Sequence, residues 1–198
     1  EVEVIVIDGR KLLVVERYDR VLRPDGRVDR IHQEDFCQAL RVSPDHKYEE
    51  IGGPSLAKIA QLVEVAVGPG ALETLLRAVA LNVLIGNADA HAKNFSLLHL
   101  PDGTMRLAPL YDLLSTLSYP ELDQRLAMYI DTVRRITRAS RNRVINEGVA
   151  WGIPKARATD VVEDLLARAP RAADTAQAEI KDLPAIVRTT FGLQHAML

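Results

Sequence analysis

The chain opens on two β-branched runs, VEVIVI and KLLVV, on either side of Asp8-Gly9. Apolar residues alternating with polar ones at a period of two mark strands, and an Asp-Gly pair between such runs is a strong hairpin signal. The sequence starts without Met and is already inside this alternation. A lone hairpin is marginal in water, so the pattern predicts that Val2–Val15 continues a larger sheet whose earlier strands precede it. ERYDRVLRPDGRVDR, polar and turn-rich, reads as a linker with a Pro-Asp-Gly turn, and HQEDFCQAL reads as a short helix.

Beyond residue 50 the period lengthens. Leu56, Ile59, Ala60 and Val63 fall on one helical face, with Pro54 suited to the first turn and Gly68 to the C-terminal cap. The clearest helix follows, with Leu72, Leu75, Leu76, Val79, Ala80, Val83 and Leu84 on one stripe and Gly86 at its end. The pattern then breaks abruptly at GNADAHAKNFSLL, a loop crowded with polar side chains and expected to be solvated. FSLLHLPDGTMRLAPL reads as a second hairpin. A two-residue turn at Asp102-Gly103 would set Phe95 against Leu110 and Asn94 against Tyr111, with backbones about 5 Å apart. Asp112 would thereby fold back beside Asn94 and the Asp89 loop. From about Leu122 onward the pattern predicts helices, with breaks near Gly152–Pro154 and at Pro170. The fold class expected is α+β.

Composition narrows the class. A chain of 198 residues suits one domain, and 47% hydrophobic content supplies a sizeable core. Net charge is −2, which gives no global attraction to nucleic acid or anionic membranes. Cys37 is the single cysteine, so no internal disulfide or Cys-based zinc site forms; its apolar neighbourhood reads as packing. No apolar run nears the roughly 20 residues of a membrane span, and a cytoplasmic protein is expected.

The order helix, polar loop, hairpin, aspartate is similar to that of protein kinases. In those enzymes an Asp serves as base, an Asn five residues later holds magnesium, and an Asp beyond a hairpin holds the metal on the phosphates. Asp89 and Asn94 have that spacing, although His91 follows the Asp here and no Arg precedes it. Phosphoryl transfer asks mainly for position and charge neutralisation, and magnesium prefers oxygen ligands.

VERYDR, HQEDFCQAL, KYEEIGGPS, LIGNADAHAKNFSLL and LAPLYDLLST, in this order between about residues 15 and 116, resemble the C-terminal part of HipA-type serine/threonine kinases. Those are kinase-like toxins of bacterial toxin–antitoxin modules. The resemblance implies a protein-kinase-like, mostly helical C-lobe. Residues 1–20 would end an N-lobe sheet and form the hinge. Residues 21–198 would form the lobe, with a catalytic loop at 86–96 and a metal-binding segment at 108–116. It implies ATP and magnesium as cofactors, Asp89 as catalytic base, and Asn94 and Asp112 as metal ligands. Glu16 and Tyr18 would meet the adenine, while Gln33, His91 and Tyr111 would line the nucleotide pocket. Lys93 is either a solvated loop residue or a cation that steadies the phosphate.

By the same resemblance, the substrate is a protein such as an aminoacyl-tRNA synthetase, and a small DNA-binding antitoxin is a partner. The family's Gly-rich phosphate loop and ATP-contacting lysine precede the hinge and have no counterpart here. Gly68-Pro69-Gly70 reads as a helix-to-helix turn. A missing N-lobe segment is thus a further expected partner. The rival reading is a non-catalytic half-kinase that binds partners. A metallohydrolase built on Asp89, His91, His99 and Asp112 lacks the histidine-rich set such sites use. RRITRASRNR reads as a solvated helix face or a docking surface for an acidic or nucleic-acid-bearing partner.

Overall fold

A computed structural model of the chain describes residues 2–180 and 185–198. Strands β1 (Val2–Ile7) and β2 (Arg10–Val15) pair antiparallel, Val2 opposite Val15 and Ile7 opposite Arg10. Asp8 and Gly9 both take positive φ, at 50° and 75°, the combination that matches a tight turn to the strands' twist. Val4, Val6, Leu13 and Val15 of this ribbon remain exposed.

The expected linker is a second small hairpin, of β3 (Arg20–Leu22) and β4 (Val28–Arg30). Gly26 supplies its positive φ, and an Arg23–Asp29 ion pair of 2.5 Å bridges the strands. HQEDFCQAL is helical only in its second half. His32–Asp35 forms β5, and α1 covers Phe36–Ala39. Tertiary pairing overrides the local pattern here, because β5 lies against β6 (Ser96–His99), which pairs in turn with β7 (Met105–Leu107). Asp35 ends the strand and caps the helix, accepting from Gln38 N–H.

The β6–β7 turn corrects the expected register. Leu97 pairs with Leu107, Leu98 with Arg106 and His99 with Met105, one residue from the predicted alignment. Leu100 and Thr104 close the loop, and Gly103, at φ 83°, is the left-handed residue of a three-residue turn rather than half of a two-residue one.

Helices α2 (Leu56–Ala66) and α3 (Gly70–Leu84) form as expected, though Ser55 caps α2 and Pro54 sits just before the cap. Every residue of both predicted stripes is buried. Each Leu, Ile or Val among them contributes about 1.5–3 kcal/mol on leaving water. Around α3 pack α2, α4 (Arg141–Ala150), α5 (Lys155–Glu179) and α6 (Ala185–Met197).

Residues 122–140 hold no α-helix, only a single 3-10 turn at Ile136–Arg138. Strands β8 (Arg125–Ile130) and β9 (Val133–Arg135) form a hairpin whose turn residues, Asp131 and Thr132, carry positive φ without a glycine to announce it. The arginine-rich stretch therefore starts on a strand, passes through the 3-10 turn and reaches an α-helix only at Arg141. Arg134 lies over the Tyr129 ring, while Arg141 and Arg143 pair with Glu163 and Asp131. Cys37 is buried in the core, as expected.

Pro170 does not end α5 but lies within it. Proline has no N–H to give to the carbonyl four residues back, which here is that of Leu166. His195 of α6 supplies the missing donor, its Nε2 standing 3.1 Å from Leu166 O. Removing the imidazole in His195→Ala should therefore cost about 0.5–1.5 kcal/mol. In a Pro170→Ala background, where residue 170 regains its N–H, the cost should shrink. A double-mutant cycle by urea unfolding checks this; additive effects would dissociate the two residues.

Candidate active site

The polar loop begins where α3 stops. Gly86 adopts φ 75°, and its carbonyl accepts from Leu117 N–H and from Thr116 Oγ1, each at 3.0 Å. Thr116 Oγ1 in turn accepts from Ala88 N–H at 2.8 Å. Asn87, buried, donates to Asn82 Oδ1 at 2.8 Å, and Asn82 donates to Ala78 O at 2.9 Å. These bonds tie the loop to the helix behind it and to the segment after Asp112. The loop is consequently not solvated as expected: Asn87, His91 and Asn94 are buried. Asp89 alone turns outward, with 52% of its side chain exposed.

Asn94 and Asp112 meet. Asn94 Nδ2 lies 2.6 Å from Asp112 Oδ2, while Asn94 Oδ1 accepts from His91 N–H at 3.2 Å. Asp112 is exposed and takes φ 55°, a conformation uncommon for a residue with a side chain. A carboxylate beside a carboxamide is a hard-oxygen donor set of the kind magnesium accepts. Asp112 fits that role as it stands. Asn94 fits once its carboxamide turns its oxygen away from His91 and toward the carboxylate.

His91 lies between this pair and Asp89. Its Nε2 is 3.9 Å from Asp89 Oδ2 and 2.9 Å from Lys47 Nζ. An ammonium only donates, so Nε2 accepts and Nδ1 carries the proton. Burial holds the His91 pKa below its ordinary value; Asp89 opposes this and Lys47 adds to it. The edge of the His91 ring meets the Tyr48 ring at 5.6 Å between centroids.

A second group of bonds adjoins the first. Tyr18 Oη donates to Gln33 Oε1 at 3.0 Å, Gln33 Nε2 donates to Ser96 Oγ at 3.1 Å, and Ser96 Oγ shares a short bond with Tyr111 Oη. Tyr111 Oη also reaches Lys93 O. Burial pushes the Tyr111 hydroxyl up to about 12 and raises Tyr18 as well. Gln33, Lys93, Ser96 and Tyr111 line a cavity of about 490 Å³, with Arg17 and Asp19 at its edge. Hydrogen bonds from Arg17 and Arg20 hold the buried Asp19 carboxyl far below the usual range.

Tyr18, Gln33, Lys93 and Tyr111 are thus brought together, as are Asp89, His91, Asn94 and Asp112. Glu16, exposed just beyond β2, and His91, buried in the loop, both lie outside the residues that line the cavity, and Tyr18 joins it only through Gln33. His99 is not with Asp89 or Asp112; it pairs with Glu34 on the other face of β5 and β6. Lys47, Asn82, Ser96 and Thr116 escaped sequence reasoning. Each is an ordinary residue in a helix, strand or loop pattern, and only tertiary contact gives it a role.

A family model described as the HipA-like C-terminal domain matches residues 1–173. The chain belongs to that family. Over 134 residues it is 50% identical to the protein named "Putative kinase Y4mE" of Sinorhizobium fredii, covering 67% of this chain and 31% of that one. Over 143 residues it is 38% identical to the serine/threonine-protein kinase toxin HipA of Shewanella oneidensis, covering 66% of this chain and 33% of the toxin. The Shewanella HipA solved with HipB and operator DNA superposes on the whole chain with a TM-score of 0.87 at 28% identity, over 50% of the solved chain. The chain therefore spans about half of that HipA, and its matches cover about a third of the curated relatives. The fold is that of the C-terminal portion of HipA. No described helix is long and apolar enough to cross a membrane.

Within this HipA-like frame, Thr116→Val should leave Ala88 N–H buried without an acceptor and destabilise by about 1–3 kcal/mol in urea, whereas Thr116→Ser should not. Stability should also respond to His91. Its folded pKa lies below the ordinary value, so the unfolded chain binds the proton first as pH falls. The contribution of neutral His91 is intact above about pH 6.5 and is lost as the pH drops from there toward the folded value. Unfolding midpoints measured across that window should fall less steeply in His91→Gln than in the unsubstituted chain.

Proposed function

We propose that the chain is the catalytic-loop and metal-binding part of an ATP- and magnesium-dependent serine/threonine kinase of HipA type. The observation that carries this reading is the meeting of Asn94 with Asp112, distant in sequence but 2.6 Å apart beside Asp89. Asp89 is the general base. Its outward carboxylate accepts the proton of an incoming serine or threonine hydroxyl and orients that oxygen for attack. Asn94 and Asp112 hold magnesium, which when bound neutralises charge on the phosphates. His91, kept neutral by burial, joins Lys47 to the Asp89 side of the site, so Lys47 places a positive charge next to the base.

Tyr18, Gln33 and Tyr111 border the nucleotide, and Lys93, lining the same cavity, steadies its phosphates. Glu16, next to Arg17 at the end of β2, meets the adenine together with Tyr18. In this reading residues 1–20 are the hinge side, and residues 21–198 are the C-lobe. The substrate is a protein of translation such as an aminoacyl-tRNA synthetase, with the outcome of a toxin. The partner is a DNA-binding antitoxin, as in the Shewanella complex with HipB. The location is cytoplasmic.

A second reading, a partner-binding module without phosphoryl transfer, is favoured by one observation. Among the described residues Gly68-Pro69-Gly70 is a turn between α2 and α3, not a cradle after a strand. One substitution separates the two. In the protein that carries this chain, Asp89→Asn should leave the melting temperature and nucleotide affinity in place and lower phosphoryl transfer by roughly 10²–10⁴-fold. Transfer at undiminished rate removes Asp89 as the base. If transfer is absent from both forms while partner binding persists, the second reading holds.

A further inference from the structure

Strands β5 and β6 carry polar residues on both faces. Gln33 and Ser96 line the cavity, and alternation sets Glu34 and His99 on the other face, which His32 shares by register although, at the start of β5, it also borders the cavity. His32 and His99 are directly opposite across the antiparallel pair, with ring centroids 4.8 Å apart. Glu34, two residues from His32 on the same face, reaches His99 diagonally, its Oε2 3.1 Å from Nε2. One donor atom from each of the three lies within 4.8 Å of the others, and no other such group occurs among the described residues.

A Glu34–His99 ion pair alone accounts for two of these side chains but not for the second imidazole turned toward them. Two imidazoles and a carboxylate are the donors a zinc-type ion selects, with a fourth position left for water. Zinc bonds of about 2.0–2.2 Å in a tetrahedron bring donors to roughly 3.3 Å from one another. Glu34 and His99 are already that close. His32 is exposed, so rotating its ring closes the remaining gap without disturbing the core.

We propose that His32, Glu34 and His99 bind one zinc-type divalent cation, clamping the start of β5 to the end of β6. These ligands share no residue with the Asn94–Asp112 pair, so the site stands whether or not the kinase reading does.

The test is titration of the tag-free chain with zinc chloride in a chelator-free buffer, followed by calorimetry and by thermal unfolding. One zinc per chain should bind and raise the melting temperature, and cobalt(II) in its place should give a visible absorption band. Losing even an outer partner of a metal ligand costs about 10–100-fold in affinity, so His32→Ala and His99→Ala should each cost at least as much. His32→Ala is the deciding variant because its exposed position leaves the metal-free fold intact, which circular dichroism verifies. His46→Ala should bind zinc as the unsubstituted chain does. Absence of zinc binding overturns the proposal. So does binding that survives both His32→Ala and His99→Ala, or binding that disappears with His46→Ala.

Discussion

Gly86 is the point at which the arms of the site are joined. Its positive φ lets the chain leave α3 sharply, and its carbonyl holds Leu117 and Thr116. A Cβ at this position would fall 2.8 Å from Thr190 Cγ2 and 3.2 Å from Leu117 Cβ. Any side chain would thus strain the backbone and push away both α6 and the segment after Asp112. The close approach of the loop, that segment and the last helix rests on a residue with nothing to put between them. Ser118, hydrogen-bonded to Thr190 at 3.3 Å, continues the same junction.

Around that junction the polar side chains divide into two kinds. Asn82, Asn87, Asn94 and Thr116 are buried, where an unpaired polar group is costly, and hydrogen bonds to one another or to backbone satisfy them. They fix positions. Asp89 and Asp112 instead project outward from this fixed base, and Asp112 does so in a left-handed conformation. A rigid polar network under two exposed carboxylates suits phosphoryl transfer, which depends on position more than on covalent chemistry.

Much of this was legible in the sequence. The stripes of α2 and α3, the turns at Asp8-Gly9 and Pro24-Asp25-Gly26, and the return of Asp112 to Asn94 all follow from periodicity and turn chemistry. The failures have physical causes. The β8–β9 turn uses Asp131 and Thr132 where a glycine or Asn-Gly pair would have announced it, so a strand pair was read as helix. β5 is a strand because β6 pairs with it, not because HQED favours one. A three-residue turn at Gly103 looks like a two-residue one in sequence, and that moved the register by one. Lys47 reached the site through folding alone, from 44 residues away.

The proline inside α5 bears on how the molecule opens. A helix of 25 residues with an unbroken ladder would be protected as one cooperative unit. Here the ladder is interrupted at Leu166, and the replacement donor comes from a different helix. Amide exchange in the two halves of α5 is therefore separable. The half before Pro170 includes the buried Val161, Val162 and Leu166 and is protected with the core. The later half has no buried residue and lacks that protection. Because α6 also approaches Gly86 through Thr190, a transient departure of that helix would free the Leu166 carbonyl and loosen the polar loop in the same event.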